Sequence, residues 1–489
     1  MTAHIWQRVD DRTVKRSVYG TELIVCAVAS HIKCSASPLV ALSVETKLAP
    51  AAFRQNLKAA WKALRFQAPI LATKILVAGD SFEFEYVSPA NAEQADKWVA
   101  ETLLEVPGSD SSQDLVTSLV NDDKEREKYY PDYAGYAAGL YFAPGKAEGQ
   151  YHICLFSQHA AVDGRGSLLA FDILLSNVSD PQTVTSWGGE IERLPLPISY
   201  KLGLRKDGDI APEGLDQILQ AMQKQEADNH PLCTLPCLAG APIKTSVSTQ
   251  YARVDLPEKI TTSIKKAAKA RNIAFSYVIG AAVSMALYRN STNREDAKGA
   301  FLAVVPSDLR FRLPEDQRHQ HVSGFVMTSG SVALPVSLLR EIDSTDKEGG
   351  TLSPAYWKAA ATIATQWEAG KSSELAIALE DEFAHAFQHM FKSAPESVFK
   401  PTAYYSPLGI CDAFTKSQYG TGSQLVKVSQ PLVTSYAANG LSLCLHTWTW
   451  QGEFTAFINY STHFYKSELV DKYLDDIRTF LELISADGN

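Results

Sequence analysis

Long apolar runs are missing from this chain of 489 residues, and so is any tract of basic residues. The first absence argues against a membrane span, which needs about 20 consecutive apolar residues. The second removes nucleic acid from the candidate partners, because 46 Lys and Arg face 55 Asp and Glu and leave a net charge of −9. Cysteine is scarce: the 7 residues, at positions 26, 34, 154, 233, 237, 411 and 444, are odd in number and scattered, as reduced thiols in a reducing compartment are. Cys233 and Cys237 are the single close pair, and with no second pair or histidine cluster beside them no metal site is expected. Residues 1–12 lack the apolar core of a signal peptide, so a cytoplasmic location is expected, with the sequons at Asn177, Asn290 and Asn459 unmodified. No G-x-S-x-G or H-E-x-x-H occurs, and Gly370-Lys371-Ser372 has Thr365 where a phosphate loop requires glycine. A hydrolase triad and an ATPase are thereby set aside.

What the chain does have is the balance of a globular protein, with 45% apolar and 21% charged residues. Its length suits two or three domains. Phe53, Leu57, Trp61 and Leu64 recur at helical spacing behind Pro50, and Phe82, Phe84 and Tyr86 alternate with Glu83 and Glu85 as in a strand with one wet face. A helix over Ala92 to Leu104 leads into a polar loop through Asp123 and Glu127. Prolines and polar residues from Asn177 to Thr249 read as a crossover with one helix near Leu215 to Lys224. Tyr251 to Leu256 restarts as a strand, two helices follow (Ile260 and Ile264, then Phe275 to Leu287), and Phe301 to Val305 is a buried strand. A hairpin over Leu441 to Tyr460 turns at Gln451-Gly452, and Leu469 to Ile484 stripe a closing helix. The expected fold class is α/β, as two similar lobes: residues 1–190, a crossover at 191–249, and residues 250–489.

The densest chemistry lies in Ser157-Gln158-His159-Ala160-Ala161-Val162-Asp163-Gly164-Arg165-Gly166. It follows the strand Tyr151 to Phe156, whose alternation puts Tyr151, Ile153, Leu155, Ser157 and His159 on one face. Asp163-Gly164 supplies a turn, and Ser167 to Leu175 has the apolar density of a buried helix. An imidazole at such a strand exit can take a proton near neutral pH.

His159, Asp163 and Gly164 form an H-x-x-x-D-G that resembles the signature of the acyltransferase superfamily of chloramphenicol acetyltransferase, the plant BAHD enzymes, peptide-synthetase condensation domains and the fungal trichothecene O-acetyltransferases. Condensation domains usually carry a second His before the first; Gln158 stands there, which favours a free-standing acyltransferase. The resemblance implies two lobes around a central tunnel, His159 as general base and Asp163 in an orienting role. It also implies an Arg partner for Asp163 on the segment after the buried strand of the second half. Arg310 is the candidate, with Arg312 as the alternative.

Tyr404-Tyr405-Ser406-Pro407-Leu408-Gly409 and Gln418-Tyr419-Gly420-Thr421-Gly422 resemble the BAHD carboxyl-terminal region, where a hydroxyl faces the base and a D-F-G-W-G loop follows. Tyr419 and both glycines persist, while Gln418 and Thr421 replace Asp and Trp, so the turn is expected without its usual anchor. By position Ser406 is the oxyanion donor. The implied function is transfer of an acyl group, acetyl first, from coenzyme A to a hydroxyl of a small secondary-metabolite-type acceptor. Acyl-CoA is then a co-substrate, with no permanent cofactor, no metal and a monomeric enzyme. Lys265, Lys266, Lys269 and Arg271 could meet the CoA phosphates, although a solvated helix face is the preferred reading. His319 and His321 read as solvent-facing. Two rivals remain: a condensation-like enzyme using a carrier-bound thioester or catalysing a cyclisation, and a non-enzymatic binding protein.

Overall fold

Behind Pro50 the chain forms the helix Pro50–Gln67, and its Phe53, Leu57, Trp61 and Leu64 side chains are completely or almost completely buried. Each such burial contributes about 1.5–3 kcal/mol. In this computed structural model the described residues are 4–32, 37–129, 135–238, 248–315, 322, 327–349, 352–393, 403–436 and 443–487. Cys34, His319 and His321 lie outside them.

Three sheets organise the mixed α/β molecule. The first is seven-stranded and centres on the antiparallel pair Pro38–Thr46 and Gln150–Ser157, with Leu39 opposite Phe156 and Val44 opposite Tyr151. Ala138–Pro144 and Leu103–Glu105 extend it on one side. On the other side Val426–Val428, Gln418–Tyr419 and Leu432–Ser435 are added from late in the chain. The reason is that Leu39, Val40, Ala41 and Leu42 are all fully buried, so both faces and the free edge of that strand have to be covered. Such short pieces carry no period of their own in the sequence.

The second sheet is six-stranded, in the order Met327–Pro335, Gly299–Asp308, Ala403–Ile410, Leu443–Trp450, Glu453–Ser461, Thr249–Leu256. Its hairpin turns at Gln451 and Gly452, both at positive φ (47° and 85°), as a two-residue turn between twisted strands requires. A four-stranded antiparallel sheet near the amino end holds Thr13–Ser17 and Ser81–Val87. The two large sheets do not have wholly separate cores: Leu408, Trp448 and Phe457 of the second sheet are buried in the same apolar cluster as Leu155 of the first and Leu168 of the helix Gly164–Ser179.

Three helices matter below: α1 (Thr21–Ile32), α2 (Gly164–Ser179) and α3 (Glu380–Ser393). The stretch read as a polar loop is instead the helix Asp123–Glu127, capped by the Asp122 carboxylate on the amides of Lys124 and Glu125. The helix Ser112–Val120 precedes it, with Leu115, Val116, Leu119 and Val120 inward. The apolar spacing was there, but charged neighbours masked it. Among the described residues no single helix is long and apolar enough to cross a membrane.

Candidate active site

The strand Gln150–Ser157 is buried along almost its whole length and delivers the chain into a tight turn. The Gln158 amide bonds the Ala137 carbonyl and the Ala161 amide bonds Gln158 O. Asp163 then caps α2, its Oδ1 accepting from the Gly166 amide at 2.7 Å. Within this turn His159 Nδ1 lies 3.2 Å from the Val162 carbonyl oxygen. A proton on Nδ1 is donated there, and Nε2 keeps the lone pair that a base needs. Burial lowers the His159 pKa below its ordinary value, the Asp163 carboxylate offsetting only part of the effect. The ring is nevertheless not sealed: it keeps intermediate exposure and lines a cavity of about 10 Å³ with Val25, Cys26, Ala29 and Tyr129. That is room for one water-sized group.

Asp163 faces away from this cavity's work and toward the other half of the molecule. Arg310 Nη1 and Nη2 donate to its Oδ2 and Oδ1 at 2.9 and 3.1 Å, a side-on pair whose side chains are 4% and 3% exposed. Asp308 extends the pair. Its Oδ1 accepts from Arg310 Nη1 at 3.1 Å and from the Arg310 amide at 2.9 Å. Its Oδ2 accepts from Arg165 Nη1 at 2.8 Å. Burial pushes the Asp308 carboxyl up, but the two arginines outweigh it and leave it below the ordinary range. Arg165 also bonds the Leu408 carbonyl at 2.8 Å. The result is an alternating row of four charges that fastens the turn to the second sheet. Arg312, the alternative partner, instead meets Glu374 at 2.9 Å.

Gly164 has a reason other than turn conformation. It opens α2 at ordinary negative φ, and a Cβ there would stand 3.0 Å from Leu408 Cδ2. At Gly166 a Cβ would stand 2.5 Å from the Val322 carbonyl oxygen. Both glycines let the helix start lie against the neighbouring half.

Ser406 is half-buried on the strand Ala403–Ile410, and its Cα partner on the adjacent parallel strand is His446. His446 is a site residue the sequence reading passed over. Burial, and then the nearby His159 charge, lower its pKa to about 4, with Asn459 acting in the opposite sense. Its Nε2 is 3.4 Å from Cys444 Sγ. Asn459 in turn bonds the Ser435 hydroxyl at 3.2 Å, linking the second sheet to the strand Leu432–Ser435 of the first. The signal was available: His446 is the one imidazole in Leu443–Trp450, a strand otherwise made of apolar residues, threonines and Cys444. Arg165 lies within the motif stretch and Asp308 two residues before Arg310, but nothing in one dimension pairs them.

The carboxyl-terminal glycine turn is present, with Gly420 and Gly422 at φ 64° and 60°. Its anchor is Tyr419, whose hydroxyl donates to Asp172 Oδ1 on α2 at 2.7 Å and accepts from the Lys416 amide at 2.9 Å. Of the proposed phosphate cations, Lys266, Lys269 and Arg271 are exposed, and Arg271 stacks over Trp357 at 4.0 Å.

No family model and no curated sequence matches the chain. Solved structures do. Trichothecene 15-O-acetyltransferase TRI3 from Fusarium sporotrichioides superposes with a TM-score of 0.83 at 19% identity, covering 98% of this chain and 97% of that one. The chain carries the condensation-domain-like acyltransferase fold. The cyclization-docking bidomain EpoB from Sorangium cellulosum gives a TM-score of 0.64 at 15% identity, over 99% of this chain and 88% of that one. A starter condensation domain of rhizomide synthetase, in complex with C8-CoA, gives 0.62 at 13% identity, over 97% and 96%. This fold carries the H-x-x-x-D-G turn here at the junction between the two large sheets.

Proposed function

We propose that the chain transfers an acyl group, acetyl first, from coenzyme A to a hydroxyl of a small-molecule, secondary-metabolite-type acceptor. The observation that carries this reading is His159: Nδ1 is committed to the Val162 carbonyl, burial keeps the ring neutral, and the ring borders a cavity. Nε2 takes the hydroxyl proton as the acceptor oxygen attacks the thioester carbonyl carbon. The tetrahedral intermediate collapses, the C–S bond breaks, and the departing thiolate takes the proton back from His159. Ester and free CoA leave. Asp163 orients the turn through Arg310 and does not relay protons. Ser406 is the proposed donor to the oxyanion, supported by its place opposite His446 on the neighbouring strand. The chemistry calls for no metal.

The neighbours support this reading without identifying the donor, since one bears an acetyltransferase name and another holds C8-CoA. We place the reaction in the cytoplasm with a monomeric enzyme; the odd number and scatter of the cysteines accord with a reducing compartment. The test is release of CoA thiol from acetyl-CoA, with and without a panel of polyols and terpenoid alcohols, with ester product identified by mass. Alcohol-dependent release is the expected result. A second reading, transfer from or cyclisation on a carrier-bound thioester, is favoured by the likeness to the cyclization bidomain. It predicts no release from free acetyl-CoA.

A further inference from the structure

The cavity beside His159 has one helical wall. Ala29 stands one turn on from both Val25 (i, i+4) and Cys26 (i, i+3) on α1, so the three make one face, and that face borders the same space as His159. Ile75, Ala160 and Tyr129 line the same space. The lining next to the base is therefore mostly apolar, with hydroxyls at Ser37 and Tyr129 and the Gln158 carboxamide as its polar members. Tyr129 is held in place, its hydroxyl 2.9 Å from that of Tyr141 and its ring 4.2 Å from Phe156.

The wall is fixed from behind. At its amino end Glu22 takes both Arg16 Nη atoms at 2.7 Å, and the Gly20 amide bonds Asp381 of α3 at 3.0 Å. Gly20 packs so closely on α3 that a Cβ would stand 2.7 Å from the Glu380 side chain. With α1 pinned, the volume available beside His159 depends on the length of the side chains at 25, 26 and 29. Two of these, Cys26 and Ala29, are short and buried.

We propose that the Val25, Cys26 and Ala29 face of α1 is the specificity wall of the site, setting how bulky an apolar carbon frame can follow the reacting hydroxyl to His159. This rests on the acyl-transfer reading above. The cavity holds one water-sized group, so any carbon frame behind the hydroxyl has to displace α1 side chains, and a bulky bicyclic frame displaces more of them than a small or flat one.

The test measures kcat/KM for acetyl transfer to ethanol, cyclohexanol and a bicyclic decalin alcohol, with wild type, Ala29→Leu and the enlarging pair Val25→Ala and Cys26→Ala. The proposal expects Ala29→Leu to lower the decalin-to-ethanol ratio by about tenfold or more, and the enlarging changes to raise it, the range a few methylenes command in an apolar pocket. Calorimetric binding of cyclohexanol to the same proteins gives a readout independent of turnover. If Ala29→Leu does not fold, the enlarging variants decide alone. An unchanged ratio and unchanged cyclohexanol binding overturn the wall. Absence of transfer to every alcohol by wild type, with cyclohexanol binding that still follows the α1 variants, overturns the acyl-transfer reading and keeps the wall.

Discussion

Arg165, at the start of the helix that follows His159, donates to Asp308 at 2.8 Å, although 143 residues separate them. With Asp163 and Arg310 alongside, the turn carrying the base is held by four charges in alternating order. Each charge is balanced only while its neighbour is present.

Removing one member strands a buried charge. Asp163→Ala and Arg310→Ala are each expected to lose about 3–5 kcal/mol of stability. The double variant should lose less than the sum, because the second change removes the charge the first left unpaired. Urea midpoints of the two singles and the double give the coupling; strictly additive losses would mean that the observed contact carries no energy.

His159→Ala should stay folded, because the ring borders a cavity and is not a core anchor, and should lose about a hundred- to ten-thousand-fold in kcat. The wild-type pH profile supplies a second check. The base works when neutral, and burial holds its pKa below 6.5, so activity falls only as pH drops through a value under 6.5. An acid limb above that, or full activity in the variant, would count against His159 as the base.

His446 makes a prediction about stability. Its pKa is 6.5 unfolded and about 4 folded. Below pH 6.5 the unfolded chain takes up a proton that the folded ring refuses, so this residue's effect on stability becomes more unfavourable as pH falls across that window. The loss approaches roughly 3 kcal/mol near pH 4, from about 1.4 kcal/mol per pKa unit. His446→Gln should therefore lose stability less steeply between pH 7 and pH 4 than wild type, as read from urea midpoints. Parallel curves would show that His446 titrates normally.

Ser406→Ala tests the oxyanion role. A bond that strengthens only as negative charge builds should lower kcat, by up to about a hundred- to a thousand-fold, and leave KM nearly unchanged. A change confined to KM would instead place Ser406 against the ground-state substrate.

How much of this was legible in one dimension depends on range. The strand Gln150–Ser157, the helix behind it and the hairpin at Gln451-Gly452 follow from local period and turn chemistry, which act over a few residues and are written where they act. The pairing of Asp163 with Arg310 was expected only through the family resemblance, since no spacing rule connects residues 147 apart.

By itself, the sequence determined an α/β chain without a membrane-length apolar run, and the place of one imidazole between a strand and the turn before a helix. The tertiary structure decided which charges meet: Asp308 and Arg165 join the pair because the turn and the second sheet are packed together, with Gly164 and Gly166 permitting the approach. It also decided that His446 lies within the field of His159, and that α1 walls the cavity. Such relationships are set by how buried faces fit across the junction, and apolar period says only that a face is buried, never which face it will meet.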